Sequence, residues 1–495
     1  MRLKKCPEML LRGPMRRSRS SKYWSIPASR SLASSRSLRI SGHFLSTFFR
    51  AALTLSPLVL GALLAPKALA QGAPPAPATA PADPQDLLGN LVVEAGAGRP
   101  LPKIAVLPSL ASAMEDVTVR SVVQHDLDLS GEFELLPDSA APEGLYLSDS
   151  PIDLKAWRGK GVEAVVKVSG KPSGKDQAEL RAQAFLMAKG DKPVFDRSFT
   201  VPGSAVRVES HRLADLLIGA LTGQNGGFAS HMVFASGSGS LRRIFTIDAD
   251  GHDAKAVSPV DAVALAPAFG KNGEVYYSAS IKNDLYKLFG PGGAPIALPV
   301  EGSVYGVAFS RDKSQVALSI GVGGEIKLFA GPSFGEIKPA SPVGMALRPT
   351  FTPSGKLAFS GEGKMGQRIY VGDKAITPDG LFASSPVFCN HPDGVRAVFA
   401  AGTGLTADLV STGENGGGLA RLTQNQGRNS YPACSPDGRL IAFFTTRKSN
   451  EGPGLYIMRI DGGRPKRVST LLGDSLRWDA LPAGAIDSKG VEPTR

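Results

Sequence analysis

Five copies of one strand, turn, strand pattern run through the second half of this 495-residue chain: PAFGKNGEVYYS at 267–278, VAFSRDKSQVALS at 307–319, PTFTPSGKLAFS at 349–360, PVFCNHPDGVRAVFA at 386–400 and PACSPDGRLIAFF at 432–444. The turns end at Gly273, Ser314, Gly355, Gly394 and Gly438, spacings of 41, 41, 39 and 44 residues. A third strand is expected in each unit at 243–248, 284–289, 325–329, 368–371, 408–411 and 455–460, and a fourth near 255–258, 295–299, 336–339, 374–377, 419–423 and 465–469. Four short strands repeating at about 41 residues predict β-propeller blades. The ends of the array fix the count. MVFAS at 232–236 reads as a second strand with no first strand before it, and Leu476-Arg477-Trp478 as a first strand with nothing after it. Joined, they complete a sixth blade and leave no open sheet edge.

The segment ahead of the array has a different grammar. KIAVL at 103–107, residues 132–136 and EAVVKV at 163–168 read as short apolar strands, and residues near 180–187 and 194–201 as longer ones. Helical spacing covers 117–129 and 153–160, the latter opened by an Asp cap. A last helix places Leu213, Leu216, Leu217, Ala220 and Leu221 on one face and stops at Gly223. The predicted fold class is therefore an α/β amino-terminal domain followed by an all-β six-bladed β-propeller. Five regions are expected: a leader at 1–70, a Pro/Ala-rich linker at 71–90, the α/β domain at 91–228, the propeller at 229–483 and a tail at 484–495.

The net charge of +12, from 56 basic and 44 acidic residues, first points to nucleic acid or an anionic membrane. Thirteen of the bases lie in residues 1–70 with one acid, Glu8, so the remainder carries 43 of each sign. A chain without that leader has no footprint for a phosphate backbone, and nucleic-acid binding is not expected. The leader ends in an apolar run at 51–65 and Ala68-Leu69-Ala70, which reads as an export signal with a small-x-small cleavage site. The run is short for a bilayer core needing about 20 residues and is interrupted by Pro57 and Gly61, so no stable membrane span is expected after cleavage. The 50 residues before the run are long for such a signal, which points to a start downstream of Met1, with Met15 the last Met before the run.

Cys389 and Cys434 are expected as two unpaired, half-buried thiols, because two cysteines make no disulfide framework for a chain this size. The histidines outside the leader, His125, His211, His231, His252 and His391, show no metal-ligand spacing, and no metal or other cofactor is expected. Asp248 to Asp253 (DADGHD) alternates carboxylates like a calcium loop but lacks its distal Glu, and reads as a hairpin turn. With no hydrolase domain read after the propeller repeats, no catalytic residues are assigned and an enzyme is not expected.

The repeat resembles the TolB propeller motif P-A-W-S-P-D-G, most clearly at Pro432-Ala433-Cys434-Ser435-Pro436-Asp437-Gly438. Ahead of it, Gly98-Arg99-Pro100, IAVLP at 104–108, LDLSGEFELL at 127–136, AWRGKGVEAVVKVSG at 156–170 and LLIGALTGQNGGF at 216–228 follow the order of the TolB amino-terminal domain. The chain resembles the TolB family over about residues 91–482. The repeat's usual Trp survives only as Trp478, with Phe269, Phe309, Phe351, Phe388 and Cys434 in its place. The resemblance implies a non-enzymatic, monomeric, periplasmic adaptor of the Tol-Pal envelope system acting in outer-membrane integrity and cell division. It implies that the propeller docks the peptidoglycan-associated lipoprotein Pal, and that an amino-terminal segment, here Leu91, Val92, Val93 and Glu94, docks TolA. That segment follows a linker here, whereas in the family it sits at the mature amino terminus.

In a propeller, loops from each outer strand to the next inner strand ring one mouth of the central channel. The candidate partner-binding residues taken from those loops are Asp261, Ala262, Glu301, Ser303, Pro342, Val343, Leu381, Arg428 and Asp474, a mixture of polar rim and apolar centre that suits a protein partner. The alternative reading, an exported propeller enzyme or carbohydrate-binding protein, requires a site in the channel. The inner strands read instead as Phe, Ala, Pro and Ser.

Overall fold

The computed structural model describes residues 100–487, apart from 111, 112, 283, 404 and 450. The expected export signal at 1–70, the expected linker at 71–90 and the segment from Leu91 to Glu94 lie outside the described residues. The α/β domain is a five-stranded sheet of β1 (Lys103–Val106), β2 (Glu134–Leu135), β3 (Ala164–Pro172), β4 (Gln177–Leu186) and β5 (Phe195–Pro202), ordered β2-β1-β3-β4-β5. β1 runs parallel to both neighbours, and β3, β4 and β5 form an antiparallel meander. Alternation sends Ile104 and Val106 to one face, where α1 (Met114–Leu129) and α3 (Val206–Thr222) pack, and Ala105 to the other, where α2 (Leu154–Gly159) brings Trp157. The Asp153 carboxylate caps α2 by accepting from the Ala156 N–H at 2.9 Å. α3 stops at Gly223, whose φ of 90° a side chain would resist.

The remainder forms six sheets in a ring. Blade one joins Asp474–Ala480 to Ser230–Ser236, Arg243–Asp248 and Lys255–Ala256. Blade two is Ala262–Phe269, Val275–Ile281 and Lys287–Phe289; blade three runs from Ser303–Phe309 to Lys338–Pro339, blade four from Leu347–Phe351 to Lys374–Ala375, blade five from Ala383–His391 to Ala420–Arg421, and blade six from Asn429–Cys434 to Lys466–Ser469. The two ends of the array close the ring in one sheet, with Trp478 opposite Met232 and Arg477 opposite Val233. Every inner strand carries a bulge at the same place: 265–268, 304–306, 347–350, 384–387, 430–433 and 474–477. Ala266, Arg348, Ser385 and Tyr431 take φ between 51° and 56° at these bulges, and each precedes a proline. The repeated proline thus marks a position with no ladder hydrogen bond to give.

Two expectations change. Blade two has three strands, because Pro291, Pro295 and Pro299 punctuate the stretch expected to hold its fourth; one isolated bridge, Phe289 to Pro295, remains there. Cys389 and Cys434 are joined in a disulfide between the inner strands of blades five and six, with Cα atoms 5.4 Å apart. Both fall at the end of the same inner strand in neighbouring repeats, and adjacent inner strands converge on the channel. The start of the tail is also pinned: Glu209 of α3 accepts from the Ala485 and Ile486 N–H groups at 3.0 Å, and Ile486 is fully buried.

The two domains share one core. A single apolar cluster runs from Val123, Leu213 and Leu217 through Phe228 to Met232, Phe234, Leu440, Leu455 and Leu476. The α/β domain therefore packs against blades one and six as a continuation of their interior.

Candidate functional site

Strand direction alternates through each blade, so the loops from second to third strand and from outer strand to the next inner strand lie on one face. The inner hairpin turns and the third-to-fourth turns lie on the other. The α/β domain occupies the second face. Glu132 binds Arg459 and, at 3.4 Å, Arg439; Asp128 meets Lys466 at 2.7 Å; Arg207 binds Asp250 and, at 3.3 Å, Asp248. The first face carries no contact from that domain among these ion pairs.

Exposed apolar side chains gather on that open face. Val260, Met345 and Leu472 stand in outer-to-inner loops, and Leu241, Leu285, Met365 and Leu405 in second-to-third loops. Among the described residues, the propeller's other large exposed hydrophobic is Val257. Leu405, Leu241 and Val260 are 90%, 77% and 75% exposed. Apolar residues scattered singly need no explanation, whereas these seven all stand in loops of one face of one domain.

The residues singled out from the sequence divide on this surface. Asp261, Glu301, Pro342 and Arg428 are exposed, and Val343 is half-buried. Ala262, Ser303 and Leu381 are buried in or beside their strands and offer a partner little surface. Asp474 is held inside the ring, bound to Arg242 and 3.9 Å from Arg348. The second-to-third loops were missed, although the alternation of strand direction places them on the same face.

The domain interface gathers what looked scattered. His125, His211, His231 and His252 all stand there, around Asp126, Asp248 and Asp250. His211 Nδ1 lies 2.7 Å from Asp126 Oδ2 within the α/β domain, and its Nε2 lies 3.9 Å from Asp250 Oδ2 of blade one. Burial opposes charge on His211, but Asp126 and Asp250 outweigh it and push the imidazole up to about 9. Burial raises Asp126 against the pull of His211, whereas His211 and Arg207 overcome burial at Asp250 and hold it below the usual range. The DADGHD stretch is a hairpin turn as expected. Gly251 takes φ 88° where a Cβ would lie 1.9 Å from the Val468 carbonyl oxygen, so the turn seats tightly on blade six. Asp248 and Asp250 of this turn accept from Arg207 across the domains, while Asp253 pairs with Lys255 of the same blade.

Asp215 secures the crossing between them. Its carboxylate accepts from the Phe228 and Ala229 N–H groups at 2.8 and 2.9 Å, and burial pushes it up to about 7.

Residues 89–191 match the family model of the TolB amino-terminal domain. The α/β domain is thus similar to the TolB amino-terminal domain. Tol-Pal system protein TolB of Polaromonas naphthalenivorans (strain CJ2) is 26% identical over 180 residues, 36% of this chain and 41% of that protein. The protein of the same name from Dinoroseobacter shibae (strain DSM 16493 / NCIMB 14021 / DFL 12) is 29% identical over 206 residues, 40% of this chain and 46% of that protein. The chain thus spans less than half the length of these curated relatives. The crystal structure of TolB from Acinetobacter baumannii superposes with a TM-score of 0.64 at 22% identity, covering 78% of this chain and 98% of that one, and so shares the fold. The chain resembles TolB both in its α/β domain and in the six-bladed propeller that follows.

Proposed function

We propose that this protein is a periplasmic adaptor of the Tol-Pal envelope system, binding Pal on the open face of its propeller. The observation that carries this reading is the set of exposed apolar side chains on the face opposite the α/β domain, mixed with the charges of Asp261, Glu301 and Arg428. A protein interface with an apolar centre and a polar rim has this composition. The match to the TolB amino-terminal domain and the relatives named for the Tol-Pal system support Pal as the partner. Among the described residues no helix is long and apolar enough to cross a membrane, which is compatible with a periplasmic protein released from its signal. The segment from Leu91 to Glu94 is the proposed contact for TolA, and outer-membrane integrity and cell division are the processes served. Binding, not covalent chemistry, is the proposed mode of action.

Complementation tests this reading. Expressed in a strain of its own species lacking the native copy, the wild-type chain should restore detergent resistance, and the Val260→Asp, Leu405→Asp double variant should not. Full rescue by that variant at equal periplasmic abundance would refute docking on the open face.

A further inference from the structure

The channel walls were expected to be apolar and small, yet two arginines stand in them. Arg348 occupies the bulge of blade four's inner strand and binds Ser475 on the inner strand of blade one, directly across the six-membered ring. Its guanidinium also lies 4.9 Å from the centre of the Tyr431 ring of blade six. Arg477, from blade one, donates to the Pro349 carbonyl across the channel at 3.1 Å and to the Leu476 carbonyl at 3.2 Å.

The two differ in what neutralises them. Arg348 has Asp474 at 3.9 Å, a carboxylate it shares with Arg242. Arg477 has no carboxylate partner among the described residues. Burial and the nearby charge of Arg348 draw its pKa down to about 10, with no acid pulling the other way. It borders a cavity of about 190 Å³ toward the α/β side of the channel, lined also by Arg311, Lys313, Asn390, Trp478 and Asp479. Asp479 is the one acid of that lining and is engaged by Lys313. Arg242, Lys313, Arg348 and Arg477 thus face two carboxylates, Asp474 and Asp479. Arg477 is half-buried, and a guanidinium partly withdrawn from water with only two carbonyls accepting its hydrogen bonds keeps donors free for an anion; its planar fork suits an oxyanion in a bidentate contact.

The geometry points to the central channel as a binding site for a small oxyanion, a carboxylate or phosphate, held by Arg477 with Lys313 at the rim. The cavity is smaller than the 300 Å³ or so at which drug-sized pockets begin, which limits the ligand to a small acid. This site is independent of the open face, so it stands or falls apart from the proposed docking of Pal.

The test uses residues 71–495 in Hepes buffer at constant ionic strength, with succinate and inorganic phosphate as probes in calorimetry and thermal melts. Saturable one-to-one binding of at least one probe is expected, with a rise in Tm that Arg477→Gln abolishes. In anion-poor buffer the variant should melt no lower than wild type, because it removes an uncompensated charge. Stabilisation that follows ionic strength alone, or equal binding by Arg477→Gln, would overturn the proposal. So would a variant that melts lower in anion-poor buffer while neither protein binds a probe, since Arg477 would then be only a strut between blades one and four.

Discussion

The Trp478 indole N–H donates to Ser230 Oγ at 2.7 Å, joining residues 248 positions apart. Trp478 lies on the inner strand of blade one and Ser230 on the strand beside it, so this contact sits on the seam where the propeller closes. Without Asp474–Ala480 that blade keeps three strands and exposes an open edge to the channel. A chain ending at residue 470 should lose cooperative unfolding in urea, while Ser230→Ala should cost about 2 kcal/mol by removing two bonds of a buried hydroxyl, the one from Trp478 and the one it donates to the Gly227 carbonyl. Cooperative unfolding at an unchanged midpoint in the truncated chain would show that the seam does not hold the ring.

The Cys389–Cys434 bridge ties blades five and six over a separation of 45 residues. Closing a loop of that size restricts the unfolded chain by about 4 kcal/mol on the entropic model. The Cys389→Ser, Cys434→Ser double variant should therefore unfold at lower denaturant, and reductant should lower the wild type's midpoint without affecting the variant. Equal midpoints under oxidising conditions would contradict the assignment.

His211 makes the interface between domains sensitive to alkali. Its folded pKa of about 9 exceeds the ordinary value of 6.5. Its contribution is therefore complete below pH 6.5 and is lost as pH rises through 9. The span corresponds to about 3 kcal/mol. Scanning calorimetry should show wild type losing its advantage over His211→Gln between pH 6.5 and 10. A difference independent of pH would mean that the imidazole is neutral in the fold.

Charge reversal at Asp261 and Glu301 acts on exposed side chains. It should leave Tm within about 1 °C, in keeping with surface substitutions worth less than about 0.5 kcal/mol, and should weaken Pal binding. Asp474→Lys differs, because it places a cation against Arg242 and Arg348 inside the ring. That variant should melt markedly lower whatever it does to binding. Identical melting of all three would contradict the placement of Asp474.

The sequence carried the architecture further than the site. Period and end-matching located six blades and the seam at Trp478, because a propeller repeats its hydrogen-bonding unit in the chain itself. The Asp153 cap and the stop at Gly223 were readable because they are local. The His211 cluster was not: its members come from α1, α3 and blade one, and no linear spacing relates Asp126 to Asp250. The disulfide was missed because two cysteines make no framework by count, whereas these two meet through the convergence of inner strands from neighbouring blades. Arg348 was hidden by lying next to the repeated proline, a position whose side chain enters the channel only through the bulge.

The most direct test of the adaptor reading is a calorimetric titration of residues 71–495 with the soluble domain of Pal from the same species. Saturable one-to-one binding is expected, lost in Val260→Asp, Leu405→Asp and retained in Arg477→Gln. No heat and no complex on gel filtration at concentrations of about 100 μM would contradict it.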